Sequence, residues 1–146
     1  MSADPAAVVG EFLAAVERRD VPAACALLAD DVEYDNVPMG AVRGPAAVAD
    51  ILGPMLGACT EVAWPVHRQV AAGTIVFNER TDRFLMDHGW VELPVVGVWE
   101  VVDGRIALWR DYVEEPSYRY QLAGMGGRHG GLRGRERGHA VGRAGA

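Results

Sequence analysis

Nothing in this sequence approaches the roughly 20 consecutive apolar residues that a membrane-spanning helix requires, so a transmembrane reading is excluded. Residues 1–10 hold no basic stretch leading into an apolar core; no signal peptide is expected, and the cytoplasm is the expected compartment. Cysteine is scarce. Cys25 and Cys59 each sit in an apolar setting, too few for a disulfide framework and without metal-ligand spacing, so buried free thiols are expected. Lysine is absent altogether, and all fourteen cations are arginines.

What remains is an ordinary soluble balance: 146 residues, enough for one domain with a real core, 50% of them apolar and 23% charged. The net charge of −6 is unevenly spread. Residues 123–146, AGMGGRHGGLRGRERGHAVGRAGA, hold nine Gly, five Arg and one acid, a net of +4, which leaves −10 for residues 1–122. An acidic body lacks the clustered cations that phosphate contacts need, so no nucleic-acid-binding face is expected on it. The tail has almost no large apolar side chains and a glycine content that makes ordering entropically expensive. It is expected as a disordered Arg/Gly-rich appendage to a domain spanning 1–122. Its faint likeness to RNA-binding segments lacks the interleaved aromatics.

Asp4-Pro5 supplies an N-cap and a proline at the first helical position, and Val9, Phe12, Leu13 and Val16 recur at helical spacing. A first helix is predicted from there to about Arg19. Asp20 caps a second, residues 21–29, with Ala24, Leu27 and Leu28 suited to packing on the first. Residues 32–37 read as a strand that stops at Pro38; Gly44-Pro45 opens a third helix to about Leu52, ended by Gly53-Pro54. From Thr60 the chain turns to β-branched and aromatic residues in runs at 60–71, 74–86, 90–102 and 105–114, four strands in meander order. Asp103-Gly104 is a two-residue hairpin signal, and Asp87-His88-Gly89 suits a three-residue loop. Helices followed by an antiparallel meander define an α+β domain, a curved sheet closing over helices and leaving one cavity.

Side chains two apart on a strand share a face, and hairpin loops set which residues lie opposite each other. The loop at 103–104 pairs Val102 with Arg105 and so puts Val96 opposite Asp111; the loop at 87–89 pairs Met86 with Trp90 and puts Arg80 opposite Val96. Arg80, Val96 and Asp111 then form a row about 10 Å across at the backbone, a span that a guanidinium can bridge. Asp82 lies two residues along. Asn78, Phe84, Val98 and Trp109 share the face, giving the mainly apolar surround with a few polar groups typical of a small-molecule pocket.

An arginine between two acids on such a face fits either a structural ion-pair cluster or a paired acid and base. In the chemical reading Arg80 stays protonated and holds both carboxylates, while repulsion and burial drive one towards the neutral form and leave the other ionised. Tyr34 and Asn36, on one face of the early strand, can fix a water beside the base; a Tyr hydroxyl satisfied by an Asn explains them equally well. Trp64, Trp99 and Trp109 are expected in the core or pocket wall, and His67 and His88 facing solvent without metal spacing.

Four segments carry a resemblance to a known family: Glu33-Tyr34-Asp35-Asn36-Val37-Pro38, Asn78-Glu79-Arg80-Thr81-Asp82-Arg83, Leu93-Pro94-Val95-Val96-Gly97-Val98-Trp99-Glu100 and Trp109-Arg110-Asp111-Tyr112. In their order and approximate spacing, over residues 5 to about 120, the chain resembles the limonene-1,2-epoxide hydrolase family of the NTF2-like fold. That resemblance implies a cone of six-stranded curved mixed sheet packed on three to four helices around a deep pocket, a homodimer, and neither metal nor cofactor. It implies a catalytic triad at Asp82, Arg80 and Asp111, with Tyr34 and Asn36 positioning water. The implied reaction is one step: Asp111 deprotonates the held water as it attacks an oxirane carbon, and protonated Asp82 donates to the epoxide oxygen, turning a lipophilic epoxide into a vicinal diol.

Other chemistries on this fold stay open. A ketosteroid-isomerase-like or polyketide-cyclase-like enzyme would enolise its substrate with one carboxylate, but needs no arginine between two acids. An epoxide-opening cyclase would replace water by a substrate hydroxyl, and a non-catalytic module would only bind ligand or dimerise. The alternative route to epoxide hydrolysis, an Asp nucleophile on a large α/β-hydrolase sheet, does not suit a chain this short that lacks the nucleophile-elbow pattern.

Overall fold

The computed structural model describes residues 3–114, so the tail predicted at 123–146 lies outside the described residues. Pro5 has the backbone angle a helix needs and lacks an N–H that would be unpaired there anyway; helix α1 runs Pro5–Glu17 and buries Val8, Val9, Phe12, Leu13, Ala15 and Val16. Asp20 accepts from the Ala23 amide and caps α2, Val21–Ala26, which is shorter than predicted because Leu28 already begins β1, Leu28–Val37. A cis Val37–Pro38 bond leads into an unpredicted edge strand, β2, Gly40–Arg43, too short to show a period in the sequence.

The predicted helix stop at Gly53-Pro54 is corrected. Helix α3 spans Pro45–Gly57 with Pro54 inside it. An interior proline costs about 3 kcal/mol, but Leu52 and Leu56 on either side are buried in the core at about 1.5–3 kcal/mol each, so packing wins. The predicted strand at 60–71 is two strands, β3, Glu61–Ala63, and β4, Val66–Ala72, broken at Trp64-Pro65 where proline has no N–H for a ladder.

Both pair with the same edge of β5, Ile75–Met86, which continues through β6, Gly89–Val102, to β7, Arg105–Val113. Strand β7 then runs parallel to β1, giving the order β2-β1-β7-β6-β5 with β3 and β4 sharing the last edge. Seven strands thus build a mixed sheet six positions wide. Helix α1 lies against β3, β5, β6 and β7, α3 against β1 and β2, and α2 joins the two helices. Among the described residues no helix is long and apolar enough to cross a membrane.

Two register predictions are also corrected. Met86 pairs with Gly89, so the loop is Asp87-His88 alone and Arg80 lies opposite Val95, not Val96. Between β6 and β7 the ladder steps from Val101↔Ile106 to Glu100↔Leu108, leaving Ala107 as a bulge and placing Asp111 opposite Gly97. Each shift is one residue and turns β6 over. Val95 and Gly97 share the helix-covered inner face, so Arg80 and Asp111 meet as predicted, while Val96 and Val98 point outward.

Candidate active site

Two neighbouring rows cross the inner face. In the first, Trp99, Trp109 and Tyr34 lie opposite one another on β6, β7 and β1. Trp99 and Trp109 stack at 5.4 Å between centroids, Tyr34 stacks on Trp109 at 3.9 Å, and Phe12 of α1 meets both tryptophans edge-on. Stacked and edge-to-face pairs of this kind each stabilise the aromatic floor by about 0.5–1.5 kcal/mol beyond their buried area. In the second row Asn78, Gly97, Asp111 and Asn36 lie opposite one another on β5, β6, β7 and β1. Arg80 and Asp82 follow Asn78 at the period of two, so the pleat brings all three to the same face.

Arg80 is 1% exposed, Asn78 2%, Asp111 3% and Asp82 5%. The guanidinium donates to Asp82 twice, Nε to Oδ1 at 2.7 Å and Nη2 to Oδ2 at 3.2 Å, and Nη2 reaches Asp111 Oδ2 at 2.6 Å. Its Cζ lies 5.2 Å from the Trp64 ring centroid and 5.7 Å from that of Trp99. Burial alone would lower the Arg80 pKa, but Asp111 and Asp82 raise it further, so the cation is permanent. One positive charge faces two carboxylates, and a buried cluster left at −1 is costly. Burial therefore raises the Asp82 carboxyl to about 7, with Arg80 opposing and Asp111 and Glu17 adding to the rise. Burial raises Asp111 as well, against Arg80 and the neighbouring Trp109 indole. The pair holds a proton near neutrality, the condition for an acid and a base side by side.

A cavity of about 370 Å³ opens over this cluster. Tyr34, Asn36, Asp82 and Asp111 are the polar side chains in its wall, which is otherwise apolar and includes Trp64, Phe84, Leu93 and Met55. Arg80 does not line it; the cation stands behind its two carboxylates. Of the residues predicted for the pocket, Phe84 lines it, Asn78 lies behind Arg80, and Trp109 lies in the floor beneath Tyr34. Val96 is 43% exposed on the outer face, and Val98 is half-buried beside it.

Several wall residues were not predicted. Val91 and Leu93 carry the same alternation as Val95 and would follow from the correct register; Pro54, Met55 and Ala58 come from the unpredicted last turn of α3 and the residue capping it. Cys59 is buried in the wall and donates to Met55 O, its thiol pushed up chiefly by burial; Cys25 is half-buried, and both are free. Two groups at the end of α1 hold the segment that carries this wall: Glu17 Oε2 accepts from the Trp64 amide at 3.0 Å, and Arg19 Nη1 donates to Cys59 O at 2.6 Å. His67 is exposed and bonded to Thr81 Oγ1, and His88 is exposed. Among the described residues no group of His, Cys, Asp or Glu is placed to hold a metal ion.

A pocket between a curved mixed sheet and its helices defines the NTF2-like class. An NTF2-like protein of unknown function from Burkholderia pseudomallei K96243 matches with a TM-score of 0.72 over 81% of this chain and 96% of that one, at 21% identity, a likeness of fold alone. The family model of the limonene-1,2-epoxide hydrolase catalytic domain matches residues 3–118. Epoxide hydrolase EphG of Mycobacterium tuberculosis strain H37Rv is 41% identical over 108 residues, 73% of this chain and 70% of that protein. The structure of an LEH-like epoxide hydrolase from M. tuberculosis matches with a TM-score of 0.74 at 35% identity, over 85% of this chain and 93% of that one. The chain belongs to the limonene-1,2-epoxide hydrolase family, and its enzyme class is that of the cofactor-independent hydrolases of this type.

Proposed function

We propose that the protein adds water to a lipophilic epoxide in one step to give a vicinal diol, with Asp111 as base, Asp82 as acid and Arg80 bridging them. The observation that carries this is the pair of carboxylates on one guanidinium opening onto an otherwise apolar cavity. Asp111 Oδ1 and Asn36 Oδ1, opposite each other on neighbouring strands, are buried acceptors without a protein partner, and a water has two protons to give them. Tyr34 lines the cavity one row away.

In the reaction the water oxygen bonds to one oxirane carbon as the ring C–O bond breaks. The water proton passes to Asp111 and the Asp82 proton to the departing oxygen; transfer of a proton from Asp111 back to Asp82 restores the site. General acid and general base contribute about 10²- to 10⁴-fold each, and strain in the ring and positioning by the pocket supply enough beyond that to dispense with a covalent intermediate.

A panel of terpene, fatty-acid, styrene and sterol oxides is expected to yield at least one diol. Turnover of ketones by enolisation with no epoxide consumed would replace the reading. In oxygen-labelled water, a single turnover should label the diol and leave the protein unlabelled; label entering first from a protein carboxylate would end the one-step scheme. The reading includes a cytoplasmic homodimer. Val70, Phe77, Val96 and Tyr112 are exposed in adjacent rows of the outer sheet face, an apolar surface that a second copy would cover. Sedimentation should give twice the monomer mass, and a monomer would remove that part.

A further inference from the structure

The guanidinium of Arg80 has five N–H bonds in a fixed plane, and two carboxylates share it unequally only if that plane is held. Nε and Nη2 serve Asp82 and Asp111. Nη1 serves neither: it donates to Asn78 Oδ1 at 3.1 Å. Asn78 is fixed in turn, since Trp99 Nε1 donates to the same oxygen at 3.2 Å and Asn78 Nδ2 donates to Gln69 Oε1 at 3.3 Å. Both groups that meet Oδ1 can only donate, so the chemistry leaves one orientation for the amide. Opposite Asn78 stands Gly97, which also faces Asp111 across the next ladder. A Cβ at Gly97 would collide with Arg80 Nη1 and lie 2.7 Å from Asn78 Oδ1 and 2.8 Å from Trp99 Nε1, the three atoms of that hydrogen-bonded cluster. All three side chains are buried, so none can swing aside into solvent.

We propose that Asn78 and Gly97 are positioning residues for the triad: Asn78 holds the edge of the guanidinium turned away from the carboxylates, and Gly97 leaves the space which that edge occupies. The proposal rests on the hydrolase reading above, because both residues act through Arg80. Neither lines the cavity, so neither meets substrate. Without the Asn78 acceptor, Nη1 becomes a buried donor with no partner, and the least costly repair turns it towards a carboxylate. That turn redistributes positive charge between Asp82 and Asp111 and with it the proton they hold. The charged groups bearing on Asp82 are Arg80 on its own strand, Asp111 on β7 and Glu17 on α1; Asn78 itself is neutral.

The test compares Asn78→Leu, which removes the acceptor at similar volume, with Asn78→Asp, which keeps it, and with Gly97→Ala. Each is assayed for epoxide hydrolysis across pH and by nitrogen-15 NMR of the Arg80 guanidinium. Asn78→Leu is expected to lower kcat about tenfold or more with KM within about twofold, because misplacement of a catalytic group costs rate rather than binding. It should also move the alkaline limb of the pH profile and average the Nη1 and Nη2 signals. Gly97→Ala should do the same. Asn78→Asp should retain separate signals, while its added negative charge moves the alkaline limb upward. Wild-type kcat, pH limb and separate signals in Asn78→Leu or in Gly97→Ala would overturn the proposal. Should Asn78→Leu fail to fold, averaged signals in Asn78→Asp would overturn it instead. A wild-type protein that turned over no epoxide would end the hydrolase reading, and the guanidinium signals of the variants would still judge the positioning.

Discussion

The two faces of one sheet carry the same chemical groups with opposite consequences. On the outer face Arg110 donates to Glu33 and Asp35, each at 3.1 Å, Arg83 donates to Glu92 at 2.7 Å, and Arg68 pairs with Glu79. On the inner face Arg80 pairs with Asp82 and Asp111. Arg110 and Asp111 are consecutive in the chain, as are Glu79 and Arg80, so a single step along a strand separates a solvated pair from a buried cluster. Water screens the outer pairs, and such pairs are worth about 0–1 kcal/mol. On the inner face desolvation raises both carboxyl groups and makes their proton available near neutral pH. Residue type alone does not shift a carboxyl; the face of the pleat does.

The sharpest break between the faces is expected from Asp111→Asn, which should lower kcat by about 10²- to 10⁴-fold with unchanged circular dichroism, whereas Asp35→Asn on the outer face should stay within about twofold. Comparable losses in both would dissolve the distinction. Next in size, Arg80→Met leaves two buried carboxylates without their cation and should cost about 3–5 kcal/mol in urea unfolding at pH 8, against about 1 kcal/mol or less for Arg110→Met.

The effect of pH comes third. Asp82, held at about 7 chiefly by burial, must be protonated to act as acid, so kcat should fall above about pH 7, approaching tenfold per unit. Its folded pKa lies above the unfolded one, so between about pH 4 and 7 the native state keeps a proton that the unfolded chain has lost, and this group's contribution to stability declines as pH rises through that window. Asp82→Asn removes the dependence, so its melting temperature relative to wild type should climb between pH 5 and 8. A falling difference would mean that folding lowers the Asp82 pKa instead of raising it. The smallest effect belongs to Glu17→Gln, which keeps an acceptor for the Trp64 amide but removes a charge that raises Asp82. The alkaline limb should move to lower pH while the rate well below it is unchanged; an unmoved limb would confine Glu17 to anchoring.

Much of the fold was legible because local chemistry and packing agree. Pro5, Asp20 and Asp103-Gly104 mark element ends by proline geometry, by capping and by turn preference, and the structure keeps all three, while Asp4 stands at the N-cap position without a side-chain cap hydrogen bond. Helix α3 and the break at Pro65 depart from the sequence pattern for opposite reasons: Pro54 is overridden by the burial of Leu52 and Leu56, while Pro65 acts on a ladder that sequence does not display. Within the candidate site, the meeting of Arg80, Asp82 and Asp111 survived two register errors that cancelled, a two-residue loop read as three and an unseen bulge at Ala107. The cancellation does not extend to β6 itself, where Val91, Leu93 and Gly97 face inward and the predicted Val96 and Val98 face outward.

By itself the sequence determined which groups are available and which of them alternate together: a period of two puts Asn78, Arg80 and Asp82 on one face whatever they face. It determined as well the motifs by which the chain is placed in its family. Only the tertiary structure decided that this face is the inner one, that Gly97 leaves room for the guanidinium, and that Trp64 and the last turn of α3 close over the carboxylates. The physical reason is that alternation is local, whereas burial and register are set by partners far away in the chain, and it is burial that raises both carboxyl groups above their ordinary range.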